Sequence, residues 1–247
     1  MRRRWIVLLL VAALIAAAPW AWARVGGRVM NAVSGQSRPE QAAARVTPGL
    51  QRDLRTLGLA LGAPAFIRLF KREGELELWL GGKDGRYQLF RTYPICTFSG
   101  QLGPKRRQGD NQAPEGFYRV ARGQLNPASR YHLAFNLGYP NAYERAHGYT
   151  GDFLMVHGNC VSIGCYAMGD AAIEEIYTVV DAALRAGQPA FDVHALPFRL
   201  DDAALSAERG SPWFDFWSEL KPGYDAFERV RQPPRVSVRD RRYRIEG

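Results

Sequence analysis

A histidine and a cysteine are the side chains best suited to chemistry in this sequence of 247 residues. His157 ends an apolar, strand-like run, and Cys165 closes the short segment Ser162-Ile-Gly-Cys that follows. A cysteine reacts as its thiolate, and an imidazole is the usual base that takes the proton. Small residues beside a nucleophile let backbone N–H groups approach a developing oxyanion. The segment therefore predicts acyl transfer, with Cys165 as the nucleophile and His157 as the base.

Three other histidines are alternative bases. His147 lies in a polar loop, residues 139–151, that we expect to line the cleft. His132 and His194 fall within strand-like patterns, which favours structural roles for both. His157 is the stronger candidate because it stands so close to the cysteine in the sequence.

Histidine and cysteine are also zinc ligands, so a metal site is a competing interpretation. His157, Cys160 and Cys165 would supply three donors, and His147 would supply a fourth. Their spacing does not match a common zinc module. The sequence also lacks a phosphate-binding glycine loop of the Walker or Rossmann type. We therefore predict that the protein uses neither a metal ion nor a cofactor.

The segment around Cys165 resembles the L,D-transpeptidase catalytic domain, the YkuD-like family, in which a His-Gly strand end and a Ser-x-Gly-Cys turn build a cysteine acyl-transfer site. The resemblance extends over roughly residues 60–230. Its further motifs are residues 93–100, 113–118, 131–141 and 223–227.

A short insert indicates which branch of the family the sequence resembles. Only Asn159, Cys160 and Val161 separate the His-Gly element from the Ser-x-Gly-Cys element. This form is similar to the YafK-like branch of the family, whose best-known member detaches a lipoprotein from the cell wall. The resemblance implies a mainly β fold with flanking helices, the YkuD-like β-sandwich.

The resemblance also implies roles for individual side chains. Ser162 would shape the turn and orient the base, and Gly164 would let the Cys165 N–H point into an oxyanion hole; both also suit a simple turn. Tyr131, His147 and Arg106 are candidate substrate-binding residues. A basic side chain such as Arg106 recognises carboxylates, although a solvated charged loop explains the same residues.

The implied function is cell-wall modification, with peptidoglycan stem peptides and wall-linked lipoprotein as partners. We expect a Cys thioester at diaminopimelate-linked bonds and amidase or endopeptidase release of the lipoprotein. One alternative is an L,D-transpeptidase that forms cross-links or attaches protein to peptidoglycan, with consequences for cell shape. A second is a zinc-binding or non-catalytic wall-binding protein, which has no need of a nucleophile.

Alternating apolar residues predict strands at residues 65–71, 75–80, 87–97, 116–121, 132–137, 152–157 and 191–200. They place a catalytic domain at residues 61–200, preceded by a linker and short helix at 24–60. Thr47-Pro48 is predicted to start that helix, and leucines at helical spacing follow over residues 49–61. Asp170 is predicted to be the N-cap of the main helix. Residues 201–247 are predicted to form a helical extension, from Pro212 toward Val230, and a basic tail.

The N-terminus has the pattern of a secretory signal. Three arginines precede an apolar stretch, and Ala21-Trp-Ala23 offers small residues for cleavage. Residues 1–23 are therefore predicted to be a signal peptide, and the protein to reach the periplasm. An uncleaved segment would instead anchor the protein in the membrane. Only then do we expect membrane association.

The formal net charge of +9 suits a polyanionic wall or membrane surface, and equally a solvated basic face. No interleaved basic and aromatic motif points to nucleic acid, so we predict no nucleic-acid partner. The chain has three cysteines, and Cys165 must stay reduced to act. Cys96 and Cys160 are left either as a disulfide or as two small buried side chains.

Overall fold

The computed structural model describes residues 35–246. The predicted signal segment, residues 1–23, lies outside the described residues, as does the first part of the predicted linker. None of the helices within 35–246 is long and apolar enough to cross a membrane.

Strands account for most of the regular structure of the catalytic region. They are β1 (Ala65–Phe70), β2 (Glu75–Gly81), β3 (Tyr87–Pro94), β4 (Thr97–Phe98), β5 (Gly116–Ala121), β6 (Leu125–Asn126), β7 (Ala134–Asn136), β8 (Met155–His157), β9 (Tyr166–Ala167), β10 (Ala190–Leu196), β11 (Arg235–Arg239) and β12 (Arg242–Glu246). The helices are α1 (Arg38–Thr56), α2 (Ala142–Ala146), α3 (Asp170–Arg185), α4 (Asp202–Ala207) and α5 (Phe214–Val230), and Arg122–Gln124 forms a 3-10 turn.

The strands form two mixed five-stranded sheets. The first has the order β3-β2-β1-β10-β5, and the second has the order β4-β9-β8-β7-β6. Most pairs are antiparallel, but β1 runs parallel to β10, and β8 runs parallel to β9. The parallel pair β8–β9 carries the His157 and Cys165 segments. This architecture confirms the predicted mainly β fold with flanking helices.

Helix α3 connects the two sheets. It packs against β1 and β10 of the first sheet and against β7 and β8 of the second. Ile173, Ile176 and Val180 recur at helical spacing and are fully buried. Burying each such side chain contributes about 1.5–3 kcal/mol. The helix therefore holds the end of β8, and with it His157, in a fixed position.

The start predicted for the first helix is wrong. Helix α1 begins at Arg38 rather than near Thr47, so residues 38–48 are helical and not linker. Glu40 causes the early start, because its carboxylate accepts hydrogen bonds from the Ser37 backbone N–H at 2.6 Å and from the Ser37 hydroxyl at 2.8 Å. Pro39 fits the first turn, where no N–H is needed.

The C-terminal helical extension is present, and α5 coincides closely with the predicted helix. The basic tail, by contrast, is not an irregular segment but the hairpin β11–β12. Asp240 and Arg241 form its turn with φ values of 53° and 61°, the conformation that two-residue hairpins require. Tyr243 is buried and stacks on Tyr143 at 4.4 Å between ring centroids.

Candidate active site

His157 and Cys165 lie on adjacent segments, at opposite ends of the short parallel β8–β9 pair. His157 is the last residue of β8, and Cys165 directly precedes β9. The parallel register sets His157 beside Ala167. Two residues before His157 in β8, the Met155 backbone N–H donates to Cys165 Sγ at 3.4 Å. Continued by one residue, the register sets Cys165 beside Met155, two residues before His157, so the segment that carries the thiol runs alongside the strand that ends in the imidazole.

The His157 imidazole is buried and has a defined tautomer. Its Nδ1 lies 2.5 Å from the Gly158 carbonyl oxygen, and its ring stacks on Tyr131 at 4.8 Å. A carbonyl oxygen can only accept, so Nδ1 carries the proton and Nε2 keeps its lone pair. Burial lowers the pKa of His157, and the Gly158 hydrogen bond only partly opposes that shift. The ring is therefore a neutral base at neutral pH.

The Cys165 thiol is partly buried and protonated at rest. Burial raises its pKa, while the Met155 N–H and the positive charge of Lys105 act in the opposite direction without overcoming burial. The thiol donates to the Phe153 carbonyl oxygen at 3.7 Å. The site therefore rests as a neutral thiol and a neutral imidazole, and a thiolate forms only when a base takes the proton.

The turn before Cys165 is held by the Ser162 hydroxyl. Ser162 Oγ donates to the Cys165 carbonyl oxygen at 2.7 Å and accepts from the Gly164 N–H at 3.1 Å. It also lies 3.2 Å from Ser99 Oγ. These bonds shape the turn, and within the described chain none of them reaches His157. Gly164 has φ +140°, a conformation that side chains rarely adopt, and a Cβ there would lie 3.1 Å from Leu154 Cδ1.

Cys96 and Cys160 form a disulfide, which settles the question that the sequence left open. Their Cα atoms lie 5.5 Å apart, a normal separation for such a bond. The Cys96 N–H also donates to the Ala167 carbonyl oxygen at 2.8 Å. The disulfide therefore ties the insert between His157 and Cys165 to the β3–β4 corner. It also removes Cys160 from the hypothetical zinc set, and residues 35–246 contain no other cluster suited to a metal ion.

Asp170 fixes the other end of the insert. It is the first residue of α3, whose N-cap is Gly169, so the predicted N-cap role is wrong. The reason is that its carboxylate points back to the loop, where Oδ1 accepts from the Asn159 N–H at 2.7 Å. A Cβ on Gly158 would lie 2.6 Å from that oxygen. Glycine after His157 is therefore required by this close approach.

The alternative bases lie in other environments. His194 is buried in β10 between the rings of Phe66 and Phe117, and burial lowers its pKa to about 3. His132 Nε2 lies 2.7 Å from the Glu174 carboxylate. His147 Nδ1 donates to the Tyr143 carbonyl oxygen at 2.9 Å.

A cavity of about 700 Å³ adjoins the Cys165 turn. Two of the three predicted substrate-binding residues, Arg106 and His147, line it together with Gln112, Tyr149 and Trp213. A Cβ on Gly164 would lie 3.5 Å from the Gln112 carbonyl oxygen, so one residue borders both the cavity and the turn. Tyr131, the third predicted residue, instead covers the His157 ring.

Comparison with known proteins identifies the family. Residues 68–193 match the family model of the L,D-transpeptidase catalytic domain, YkuD. The chain is also 54% identical over 183 residues to "Putative L,D-transpeptidase YafK" of Escherichia coli K12, with 74% of each chain covered. This chain belongs to the YkuD family. The predicted family is therefore confirmed, and membership supports a peptidoglycan-related enzyme.

Solved structures of the helical cell shape determining protein Pgp2 from Campylobacter jejuni are also similar to this YkuD-family chain. The K307A mutant matches with a TM-score of 0.46 and 19% identity, covering 71% of this chain and 62% of that chain. The second Pgp2 structure gives a TM-score of 0.44 and 17% identity, covering 77% and 80%.

Sequence reasoning missed a buried ion pair that supports the cavity of this YkuD domain. Lys71 Nζ lies 3.0 Å from Glu115 Oε1, and both side chains are inaccessible to solvent. Lys71 also donates to the carbonyl oxygens of Gly103 at 2.9 Å and Ala113 at 2.6 Å. Glu115 accepts from the Gly103 N–H at 2.7 Å and from Trp217 Nε1 at 2.9 Å. The only sequence signal was a charged residue at each of two otherwise apolar positions.

Exposed apolar side chains, which we call the apolar rim, stand in the segments that lead to His157 and Cys165. Phe153 is 67% exposed, Val161 50% and Ile163 81%, and Tyr131 is 40% exposed above His157. Large exposed apolar side chains that cluster around a reactive group mark a surface that contacts a ligand. None of these rim residues lines the cavity, so the rim and the cavity are two different surfaces.

Proposed function

We propose that this protein opens amide bonds at diaminopimelate residues of peptidoglycan through a thioester on Cys165. The observation that supports the proposal is the register of β8 and β9, which sets the segment that carries Cys165 alongside the strand that ends in His157, whose Nε2 keeps its lone pair. Family membership supports peptidoglycan as the substrate class.

In the proposed reaction, His157 Nε2 takes the thiol proton as Cys165 Sγ attacks the amide carbonyl carbon. The C–N bond then breaks, and the imidazolium returns the proton to the leaving amine. Water, activated by the same imidazole, attacks the thioester. This step releases the carboxylic acid and restores the thiol, so the overall reaction consumes one water.

The oxyanion of each tetrahedral intermediate needs a donor. The positive φ of Gly164 sets the orientation of the peptide bond that joins it to Cys165. We assign the Cys165 N–H to this role, because an oxyanion-hole donor must be held in place before the reaction. Its loss typically costs about 100- to 1,000-fold in kcat.

We favour hydrolysis, with release of wall-linked lipoprotein, over transpeptidation. The insert before Cys165 is short and tied down by the disulfide. Two hydrogen bonds also anchor the loop at residues 139–151. The Tyr139 hydroxyl donates to the Lys105 carbonyl oxygen at 3.1 Å, and the Thr150 N–H donates to the Arg106 carbonyl oxygen at 3.1 Å. Neither segment is free to close over the thiol, so water has access to the thioester.

Transpeptidation remains the second candidate, and the apolar rim favours it. Phe153, Val161 and Ile163 give an acceptor peptide or protein a surface on which to bind beside the thioester. A bound amine would then compete with water. In both reactions the partners are stem peptides, and the site of action is the periplasm, in agreement with the N-terminal signal pattern.

The test supplies purified enzyme with a muropeptide linked to lipoprotein, a donor stem tetrapeptide and an acceptor stem peptide, and separates the products by mass. We expect free lipoprotein and a shortened muropeptide to exceed new cross-links. Cys165→Ala should give neither product. Mainly new diaminopimelate–diaminopimelate cross-links, without released lipoprotein, would establish the transpeptidase instead.

A further inference from the structure

The cavity beside the Cys165 turn contains an arginine side chain without an acidic partner. The Arg106 guanidinium carbon lies 5.4 Å from the centre of the Tyr149 ring and 5.6 Å from that of the Trp213 ring. Within residues 35–246, no carboxylate forms a salt bridge with Arg106 or with the adjacent Arg107, whereas Arg91 and Lys105 each pair with an aspartate. Two aromatic rings therefore position a planar cation whose hydrogen-bond donors are available.

The acidic residue that lines the cavity, Asp110, already has a partner. The Asp110 carboxylate pairs with Lys105 Nζ and accepts the backbone N–H groups of Arg106 and Arg107, each at 2.9 Å. It fixes the conformation of the loop without neutralising the Arg106 guanidinium. Such bonds also keep the pKa of Asp110 low, although burial opposes them. The cavity lining consequently keeps a positive charge that no carboxylate of the described residues pairs with.

The part of the cavity lining around Gln112 is held by hydrogen bonds within the protein, without a ligand. The Gln112 side-chain amide donates to the carbonyl oxygens of Gln101 at 2.5 Å and Gly103 at 2.7 Å. Gly103 is also held by the buried Lys71–Glu115 pair. A rigid wall lowers the entropy cost of binding, because little of it must be ordered by the ligand.

The cavity also provides an acceptor. His147 donates through Nδ1 to the Tyr143 carbonyl oxygen, and this bond selects the tautomer in which Nε2 is an acceptor for an N–H group. A cation and an acceptor together suit a peptide, which carries both carboxylates and N–H groups. They suit a simple hydrophobic ligand poorly, because burial of the unpaired guanidinium would be unfavourable.

We propose that this cavity binds a carboxylate of the acyl-donor stem peptide, with Arg106 as its receptor and Tyr149 and Trp213 as positioning residues. The proposal rests on the proposed function of Cys165, because Gln112 borders both the cavity and the turn that precedes Cys165. Two carboxylates that stay with the acyl fragment have the required chemistry. One is the distal carboxylate of diaminopimelate, and the other is that of the glutamate residue.

The test measures binding rather than turnover. Calorimetry with the Cys165→Ser protein would compare a stem tetrapeptide with two forms, one amidated at the distal diaminopimelate carboxylate and one at the glutamate carboxylate. Adding Arg106→Gln should weaken binding of the unmodified peptide about 10- to 100-fold, as for loss of a hydrogen bond to a charged group. Arg106→Gln should have little further effect on the peptide whose recognised carboxylate is amidated, which identifies that group.

Arg122→Gln is the matched control, because Arg122 is exposed in the 3-10 turn and does not line the cavity. It should leave all three affinities unchanged, and thermal melting would show that both variants are folded. Equal affinities with and without Arg106, for every peptide, would overturn the inference, as would the absence of measurable binding. If Arg106→Gln weakens binding but the wild-type enzyme shows no turnover, the proposed function is refuted while the carboxylate site stands.

Discussion

The disulfide between Cys96 and Cys160 should account for a large part of the stability of this fold. The two cysteines are 64 positions apart in the sequence. Closing a loop of that length removes enough conformational entropy from the unfolded chain to stabilise the protein by about 4 kcal/mol at 25 °C. Typical domains have a total stability of about 5–15 kcal/mol. The double variant Cys96→Ala/Cys160→Ala should therefore be folded but much less stable.

Urea unfolding at 25 °C, followed by tryptophan fluorescence, measures the change in free energy. We expect the midpoint to fall sharply, with a loss of about 4 kcal/mol relative to the oxidised protein. Reduction of the wild-type protein with dithiothreitol should produce a similar loss, whereas the same reductant should not change the double variant. A loss below about 1 kcal/mol in both experiments would refute the loop-closure reasoning.

Three further predictions concern the site and its support. Because burial lowers the pKa of His157, kcat/KM should rise with pH through a midpoint below 6.5; a midpoint above 6.5 would contradict a neutral resting base. Gly164→Ala places a Cβ on a residue with φ +140°, which strains the backbone by about 1–3 kcal/mol. This variant should lower kcat at least about tenfold. The control Gly123→Ala should retain full activity, because a Cβ on Gly123 meets open space. Burial raises the pKa of Glu144 from 4.5 to about 7, so its contribution to stability is present below pH 4.5 and lost as pH rises through 7. Relative to Glu144→Gln, the wild type should lose about 3 kcal/mol between pH 4 and pH 8 in urea unfolding, and a constant difference would contradict the shift.

Local patterns predicted the elements that carry the chemistry. The apolar run before His157 and the small residues before Cys165 each depend on a few adjacent positions, so the strand end and the turn follow from the sequence. The helix after Cys165 has its apolar stripe at regular spacing, and α3 was predicted to within a residue of its observed start. These features require no knowledge of distant contacts.

Other features depend on residues far apart in the sequence, and the sequence alone did not reveal them. The Lys71–Glu115 pair joins a strand to a segment 44 positions later. The disulfide joins residues 64 positions apart and was only one of two possibilities. The C-terminal hairpin was missed for a different reason. Its arginines alternate with valine, tyrosine and isoleucine, and the high charge obscured the strand pattern.

The candidate binding residues could be selected from local sequence, but their arrangement depends on contacts between distant residues. Arg106 and His147 were selected separately, from a basic loop and from a loop near the catalytic strand. The structure places both on one cavity and adds Trp213, which comes from the C-terminal extension. Its position beside Arg106 depends on the packing of α5, where Trp217 donates to the buried Glu115 carboxylate.

The central claim is that Cys165 carries the acyl group, and the mass of the intact protein tests it most directly. The enzyme would be mixed with a diaminopimelate-containing stem tetrapeptide, quenched in acid after milliseconds to seconds, and weighed. We predict a transient adduct with the mass of the acyl fragment, which hydroxylamine removes and which Cys165→Ala does not form. Turnover without such an adduct, or an equal adduct on Cys165→Ala, would contradict the claim.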